Sequence, residues 1–123
     1  MQIESILIVD DNETEHFSNE AVINDYDENI KIYKVYDGKE AIERLKSLDQ
    51  QPSMILLDIN MPCRGGLDFL KAYNDLQKTH VPVVLLSSSE QEKDKKEAFE
   101  FSFVKKYIIK PLVVSDLEGL SKL

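Results

Sequence analysis

The chain has 123 residues, of which 42% are hydrophobic and 31% are charged, with 23 acidic against 15 basic side chains. These proportions predict a single globular domain, residues 1–123, that folds without a structural metal, and the one cysteine, which cannot form an internal disulfide, favours a reducing, cytoplasmic setting. The net charge of -8 repels nucleic-acid phosphates and no apolar run is long enough to cross a membrane, so we expect neither nucleic acid nor membrane as a partner.

The first part of the chain alternates a short apolar run with a helical pattern. Ile6–Val9 is apolar without polar alternation, which is typical of a strand covered on both faces. Asn12, with Glu15 three residues later, predicts the start of a helix. The apolar residues of this helix are Phe17, Ala21 and Val22. A second strand over Ile30–Val35 contains two lysines, which favour the edge of a sheet over its centre.

The middle of the chain repeats this alternation. After a turn at Asp37 and Gly38, apolar residues recur at helical spacing; they are Ala41, Ile42, Leu45 and Leu48. Met54–Leu57 is a third strand, again uniformly apolar, and it stops at Asp58. A loop with one proline and two glycines leads to a helix that carries Leu67, Leu70, Tyr73 and Leu76.

Two further strands, each followed by a helix, complete the pattern. Val83–Leu86 is a fourth buried strand, and Tyr107–Ile109 is a fifth, closed by Lys110 and Pro111. Helix starts are predicted at two serines that have glutamate three residues later, Ser89 with Glu92 and Ser115 with Glu118. Alternating strands and helices are typical of βαβ units. We therefore predict an α/β fold, a three-layer α/β/α sandwich around a five-stranded parallel sheet.

Polar side chains follow the carboxyl ends of four of these strands. They are Asp10 and Asp11 after the first strand, Asp58 after the third, Ser87 after the fourth and Lys110 after the fifth. Ligands of doubly wound sheets bind beyond these ends, so we expect the five residues to line one crevice. Crowded carboxylates disfavour ionisation unless a cation compensates their charge. With no histidine or cysteine cluster nearby, the all-oxygen set favours Mg2+, with Mn2+ possible, over zinc.

A phosphoryl group is the substrate that this set of side chains predicts. A small cation held by two or three protein oxygens keeps positions open for water and for a phosphate oxygen. Lys110 supplies a positive charge and Ser87 a hydroxyl donor for other phosphate oxygens. The sequence contains no Ser-His or Cys-His pairing, whereas an aspartate that ends a buried strand is suited to act as a nucleophile that forms an acyl phosphate.

Four segments together resemble the receiver domain of two-component response regulators, in its stand-alone, chemotaxis CheY-like form. They are Val9–Asn12, Leu57–Pro62 followed by Gly66, Val84–Ser88 and Tyr107–Pro111. The resemblance covers essentially the whole chain. It implies a flavodoxin-like fold with strand order 2-1-3-4-5 and no effector domain.

The resemblance also implies roles for the strand-end residues. Asp58 is expected to accept a phosphoryl group from a phosphohistidine on a sensor histidine kinase or a histidine phosphotransfer protein. Asp11, Asp58 and the backbone carbonyl of Asn60 are expected to hold Mg2+, with Asp10 reaching it through water, while the side chain of Asn60 need bind nothing. The chain is then not an enzyme in the usual sense, but a Mg-dependent phosphoacceptor that takes part in its own phosphotransfer and dephosphorylation.

A switch and an output surface follow from the same resemblance. Ser87 and Tyr107 are expected to form the switch pair, in which the hydroxyl moves onto the phosphoryl group and the ring turns inward behind it. Lys105 and Lys106 adjoin Tyr107, in the region that this family commonly uses for output. A downstream protein partner is therefore expected at the face that includes these three residues.

Three other functions stay open at this point. A receiver-like interaction module that works without phosphorylation is disfavoured by the complete set of strand-end residues. An aspartyl-phosphate phosphatase usually has a second aspartate two residues after the nucleophile, where this chain has Asn60. A nucleotide or flavin binder needs a glycine-rich turn, which residues 11–15 lack. His16 and His80 belong to no cluster in the sequence, and we interpret them as surface residues without a role.

Overall fold

Five strands and five helices alternate along the chain in the computed structural model, which describes residues 1–62, 65–88 and 92–123, without the side chains of residues 92–94. The strands are β1 Ser5–Val9, β2 Lys31–Val35, β3 Met54–Asp58, β4 Val83–Ser87 and β5 Val104–Ile109. The helices are α1 Glu13–Tyr26, α2 Gly38–Ser47, α3 Gly65–Asp75, α4 Glu92–Phe99 and α5 Val114–Leu120.

The strands form one parallel sheet in the order β2-β1-β3-β4-β5. This confirms the predicted three-layer α/β/α sandwich and the flavodoxin-like strand order. β2, which contains Lys31 and Lys34, is an edge strand as predicted. β5, which contains Lys105 and Lys106, forms the other edge.

The core has two layers, one on each face of the sheet. Side chains alternate between the faces of a strand, so Leu7 and Val9 of β1 belong to one layer and Ile6 and Ile8 to the other. Helices α2, α3 and α4 cover the first layer, and α1 and α5 cover the second. Because both faces are covered, the central strands are apolar except for one polar residue at an end of each: Ser5 in β1, Asp58 in β3 and Ser87 in β4. Over the described ranges, no helix is long and apolar enough to pass through a lipid bilayer.

Two element boundaries among the described residues differ from the sequence prediction by two or more residues. β5 begins at Val104, three residues before the predicted start, because exposed lysines are compatible with an edge strand. The predicted helix start at Ser115 is wrong, since this residue lies within the first turn of α5. The carboxylate of Asp116 instead accepts a hydrogen bond from the N–H of Val113 at 2.9 Å. The other predicted helix start, at Ser89, and the single Cys63 lie outside the described residues.

Gly66, at the start of α3, lies directly against the residues that follow β3. A Cβ at this position would lie 2.9 Å from Cα of Ile59 and 3.2 Å from the carbonyl oxygen of Asp58. Any side chain would push α3 away from the end of β3, so glycine is required for this close approach.

Candidate functional site

Strand register brings two of the predicted carboxylates to the same level. Val9 of β1 is paired with Leu57 of β3, so the next residues, Asp10 and Asp58, lie side by side at the carboxyl end of the sheet. Asp11 follows directly. One carboxylate oxygen from each of the three aspartates lies within 4.8 Å of the others. The acidic cluster predicted from the sequence is therefore present.

Lys110 follows β5, and its ammonium group lies among these carboxylates. Its Nζ is 3.5 Å from Oδ2 of Asp58 and 3.6 Å from Oδ2 of Asp10. A third carboxylate oxygen, Oε2 of Glu15 in the first turn of α1, lies 3.7 Å from the same nitrogen. One positive charge thus faces three carboxylates, and with Asp11 the site holds four acidic groups against one lysine.

The two buried carboxylates are held in the same way. Oδ1 of Asp10 accepts a hydrogen bond from the N–H of Asn12 at 2.9 Å, and Oδ1 of Asp58 accepts one from the N–H of Asn60 at 2.9 Å. The Asp10 and Asp58 residues are 1% and 5% exposed, whereas Asp11 is exposed. With Oδ1 fixed, Oδ2 of each buried aspartate is presented to Lys110 and to the space between the strands.

The buried setting of Asp10 shifts its pKa. Burial raises the pKa of Asp10 above its usual value, Asp58 acts in the same direction, and the N–H of Asn12 and the charge of Lys110 oppose the shift. Oδ2 of Asp10 has no hydrogen-bond partner among the described residues. A buried carboxylate oxygen without a donor is suited to a cation or to water bound to one. Because all the donors are carboxylates, the residues fit Mg2+ or Mn2+.

Asp10→Asn is expected to stabilise the metal-free protein. Asparagine keeps the oxygen that accepts from the N–H of Asn12 and removes a buried charge. In EDTA at neutral pH we expect the melting temperature to rise by about 3–6 °C, which for a domain of this size corresponds to roughly 1 kcal/mol. Asp11→Asn is the matched control. Because Asp11 is exposed, its replacement is expected to raise the melting temperature less.

The pH dependence of this difference follows from the direction of the pKa shift. Because the pKa of Asp10 is higher in the folded than in the unfolded state, the wild type loses stability as the pH rises from the unfolded-state pKa through the folded-state pKa. The advantage of Asp10→Asn should therefore be small in acid and complete at neutral pH. Thermal melts across this range measure it. If Asp10→Asn melts below the wild type at neutral pH, the conclusion that the buried charge of Asp10 destabilises the metal-free protein is wrong.

The side chain of Asn60 also takes part in the site, a role that the sequence prediction did not require. Its Oδ1 accepts hydrogen bonds from the hydroxyl of Ser87 at 2.7 Å and from the N–H of Ser88 at 3.1 Å. The side chain of Ser87 is buried. The backbone carbonyl oxygen of Ser87 accepts a hydrogen bond from the N–H of Lys110 at 2.7 Å. A hydroxyl has one proton to donate, so Ser87 must leave Asn60 before it can donate to any other oxygen.

Tyr107 lies on β5, three residues before Lys110, and is half-buried against the core layer beneath α2, α3 and α4. The ammonium group of Lys95, on α4, is 4.9 Å from the centre of the tyrosine ring, within the range of a cation–π interaction. Lys105 and Lys106 are exposed on the same strand. The ring therefore lies between the core and a basic surface.

The prediction that His16 is a surface residue is wrong. It is 0% exposed, and its Nε2 lies 2.8 Å from the carbonyl oxygen of Asp10 and 2.9 Å from that of Val35. Since both partners are acceptors, Nε2 must carry a proton and donate to both. His16 thus links the carboxyl ends of β1 and β2 by hydrogen bonds, next to the acidic cluster. The next residue, Phe17, is 73% exposed, so the apolar pattern of α1 did not indicate its buried face.

Glu15 is a second site residue that the sequence prediction did not assign. The helix start predicted at Asn12 is confirmed, since the side chain of Asn12 accepts a hydrogen bond from the N–H of Glu15 at 3.1 Å. The N–H of Asn12, however, is bound by Asp10. The carboxylate of Glu15 is directed to Lys110 instead. A glutamate four residues after Asp11, and so one helical turn further on, is the sequence signal that could have indicated this position.

Comparison with known proteins gives a consistent result. The profile of the family described as response regulator receiver domain matches residues 6–120. A two-component response regulator from Cytophaga hutchinsonii has a similar structure, with a TM-score of 0.86 and 29% identity over 99% of this chain and 96% of that chain. The phosphorylated cyanobacterial phytochrome response regulator RcpA has a TM-score of 0.76 and 28% identity, covering 98% of this chain and 90% of that one. The Mn2+-bound form of the response regulator Rcp1 has a TM-score of 0.74 and 25% identity, covering 95% and 88%.

Proposed function

Because this chain belongs to the family of response regulator receiver domains, the phosphoacceptor modules of two-component signalling, we propose that Asp58 is the residue that accepts the phosphoryl group. The donor is a phosphohistidine on a sensor histidine kinase or a histidine phosphotransfer protein. The observation that carries this assignment is the setting of Asp58 at the end of β3. One carboxylate oxygen is held by the N–H of Asn60, and the other lies 3.5 Å from the ammonium group of Lys110.

In the proposed reaction a carboxylate oxygen of Asp58 attacks the phosphorus of the phosphohistidine. An O–P bond forms, the N–P bond breaks, and the imidazole leaves with the bonding electron pair. Negative charge on the transferred phosphoryl oxygens is balanced in part by Lys110, whose ammonium group lies close to the nucleophile. Water later attacks the acyl phosphate, the O–P bond to Asp58 breaks, and inorganic phosphate leaves, which restores the carboxylate of Asp58. The chain thus takes part in its own phosphorylation and dephosphorylation, although it is not an enzyme acting on a separate substrate.

The residues proposed to hold Mg2+ are Asp10, Asp11, Asp58 and, through its backbone carbonyl, Asn60. The close approach of the three carboxylates supports this assignment, as does Oδ2 of Asp10, which lacks a hydrogen-bond donor among the described residues. The Mn2+-bound form of Rcp1 supports it as well. A bound divalent cation supplies charge that neutralises the carboxylates and attracts phosphoryl oxygens. Three carboxylates, Lys110 and one divalent cation have no net charge.

Ser87 and Tyr107 form the switch pair in this proposal. The hydroxyl of Ser87 exchanges its bond to Asn60 for one to a phosphoryl oxygen, and the ring of Tyr107 turns inward from its place beneath Lys95. Both movements start from contacts that exist in the present structure. They link the phosphorylation site to the outer surface of β5.

The output surface is proposed to include Lys105, Lys106 and Tyr107. These lysines are exposed on an acidic chain, and a downstream protein partner with acidic groups complements them. We propose a cytoplasmic location, supported by the single cysteine, and no nucleic-acid partner, supported by the net charge of -8.

Acetyl phosphate tests the proposed phosphorylation directly. In the presence of Mg2+ we expect intact-protein mass spectrometry to detect one added phosphoryl group per chain. EDTA should prevent its addition, and hydroxylamine, which cleaves acyl phosphates, should remove it. A wild-type chain that stays unlabelled with Mg2+ would contradict the proposal and favour an interaction module that works without phosphorylation.

A further inference from the structure

We propose that Glu15 is a positioning residue that holds Lys110 in the resting state and thereby slows the phosphorylation of Asp58. This inference rests on the proposed function and adds a regulatory residue to it. Glu15 lies outside the segments that carry the family resemblance, and its role follows from its contacts in this chain.

Glu15 and Lys110 lie close together at the rim of the site. Oε2 of Glu15 is 3.7 Å from Nζ of Lys110, while the carboxylates of Asp58 and Asp10 lie at 3.5 and 3.6 Å. The lysine side chain is 16% exposed and that of Glu15 is 38% exposed, so the pair lies at the rim of the site. Glu15 therefore lies nearly as close to Lys110 as the phosphoacceptor does and competes with it for the ammonium group.

The local structure of α1 explains why Glu15 is available for this contact. In a capping box, the glutamate side chain returns to the N–H of the first capping residue. Here Asp10 binds the N–H of Asn12, and the amide oxygen of Asn12 binds the N–H of Glu15. The backbone of Glu15 is fixed in the first helical turn, while its carboxylate is left to face Lys110.

Charge favours the contact between Glu15 and Lys110 when the other carboxylates hold a cation. In the proposed function Asp10 and Asp58 share their charge with the bound cation, whereas Glu15 is not among the cation ligands. Once the cation is bound, Glu15 is the strongest remaining rival for the ammonium group. Lys110 must turn from it to reach a phosphoryl oxygen, and this adds to the barrier for phosphotransfer. Because Glu15 is partly exposed, the contribution is modest.

Glu13 provides a matched control in the same helical turn. It carries the same charge, but its carboxylate accepts a hydrogen bond from the hydroxyl of Tyr36, and this bond raises the pKa of the tyrosine. Glu13→Gln therefore removes one negative charge near the site without freeing Lys110. Glu15→Asp is the complementary variant, because it keeps the charge and withdraws the carboxylate by one methylene group.

The test compares initial phosphorylation rates of the full chain at saturating Mg2+, by quenched-flow sampling and intact-protein mass spectrometry. Glu15→Gln should react about two- to fivefold faster than the wild type, as expected for loss of a partly exposed ion pair. Glu15→Asp should show most of this increase and Glu13→Gln little of it. Acetyl phosphate and phosphoramidate, which differ in charge, should give the same factor, because the effect acts on Lys110.

Three results would overturn the inference: equal rates for Glu15→Gln and the wild type, wild-type behaviour of Glu15→Asp, or the same increase in Glu13→Gln as in Glu15→Gln. The last two would indicate simple repulsion of the anionic donor. An unlabelled wild type contradicts the proposed function and this inference with it. A labelled wild type with an unchanged rate in Glu15→Gln contradicts the inference alone.

Discussion

Asp58→Asn is expected to abolish phosphoryl incorporation from acetyl phosphate. The amide has no anionic oxygen to attack phosphorus, so the loss should be complete. The substitution is isosteric, and its oxygen can still accept the hydrogen bond from the N–H of Asn60. The folded structure should therefore be retained, and thermal melts would verify this before labelling is measured.

Asp11→Asn is the control for this loss. Asp11 is exposed and offers a carboxylate oxygen within 4.8 Å of the Asp58 carboxylate, which makes it an alternative acceptor that a donor could reach. In the proposed function it is a cation ligand, so Asp11→Asn should still be labelled, but more slowly at a given Mg2+ concentration. Stoichiometric labelling of Asp58→Asn, or no labelling of folded Asp11→Asn at saturating Mg2+, would show that the acceptor is misassigned.

His16→Leu is expected to lower the free energy of unfolding by about 2–3 kcal/mol, because a buried carbonyl oxygen is left without a donor. That carbonyl belongs to Asp10, whereas the carbonyl of Val35 still accepts from the N–H of Asp10 at 3.2 Å. Leucine fills similar space, so loss of the hydrogen bonds dominates. The melting temperature should fall by roughly 6–15 °C.

His16→Gln separates hydrogen bonding from packing. The same number of bonds separates Cα from the amide nitrogen of glutamine and from Nε2 of histidine. Glutamine can therefore donate to the carbonyls of Asp10 and Val35. We expect it to recover most of the stability that His16→Leu loses in urea denaturation. In the wild type, 15N NMR should find the proton on Nε2. A proton on Nδ1 alone, or equal stability of the two variants, would contradict the donor role of His16.

The strand ends of the site could be predicted from the sequence for a simple reason. A uniformly apolar run such as Met54–Leu57 belongs in the centre of a parallel sheet, and the first charged residue after it, Asp58, marks where the strand leaves the core. Once the sheet is parallel, all such ends meet at one edge. The acidic cluster and Lys110 then follow from order along the chain.

The role of α1 could not be predicted in this way. Its sequence has apolar residues at Phe17, Ala21 and Val22, yet its buried residues are His16, Asn19 and Ile23. His16 is buried because the helix docks against the end of the sheet, where backbone carbonyls need donors. Such a requirement arises only from tertiary contacts, so neither helical periodicity nor helix propensity indicates it.

The positions of the lysines on the outer strands have a consequence for self-association. An open sheet presents unpaired backbone groups at both edges, and these can add strands from another chain and begin aggregation. Here β2 contains Lys31 and Lys34 and β5 contains Lys105 and Lys106, in a chain with only 15 basic residues. When two copies approach edge to edge, these like charges repel. These lysines lie outside the acidic cluster, so the protection against edge-to-edge association does not depend on the charge of the site.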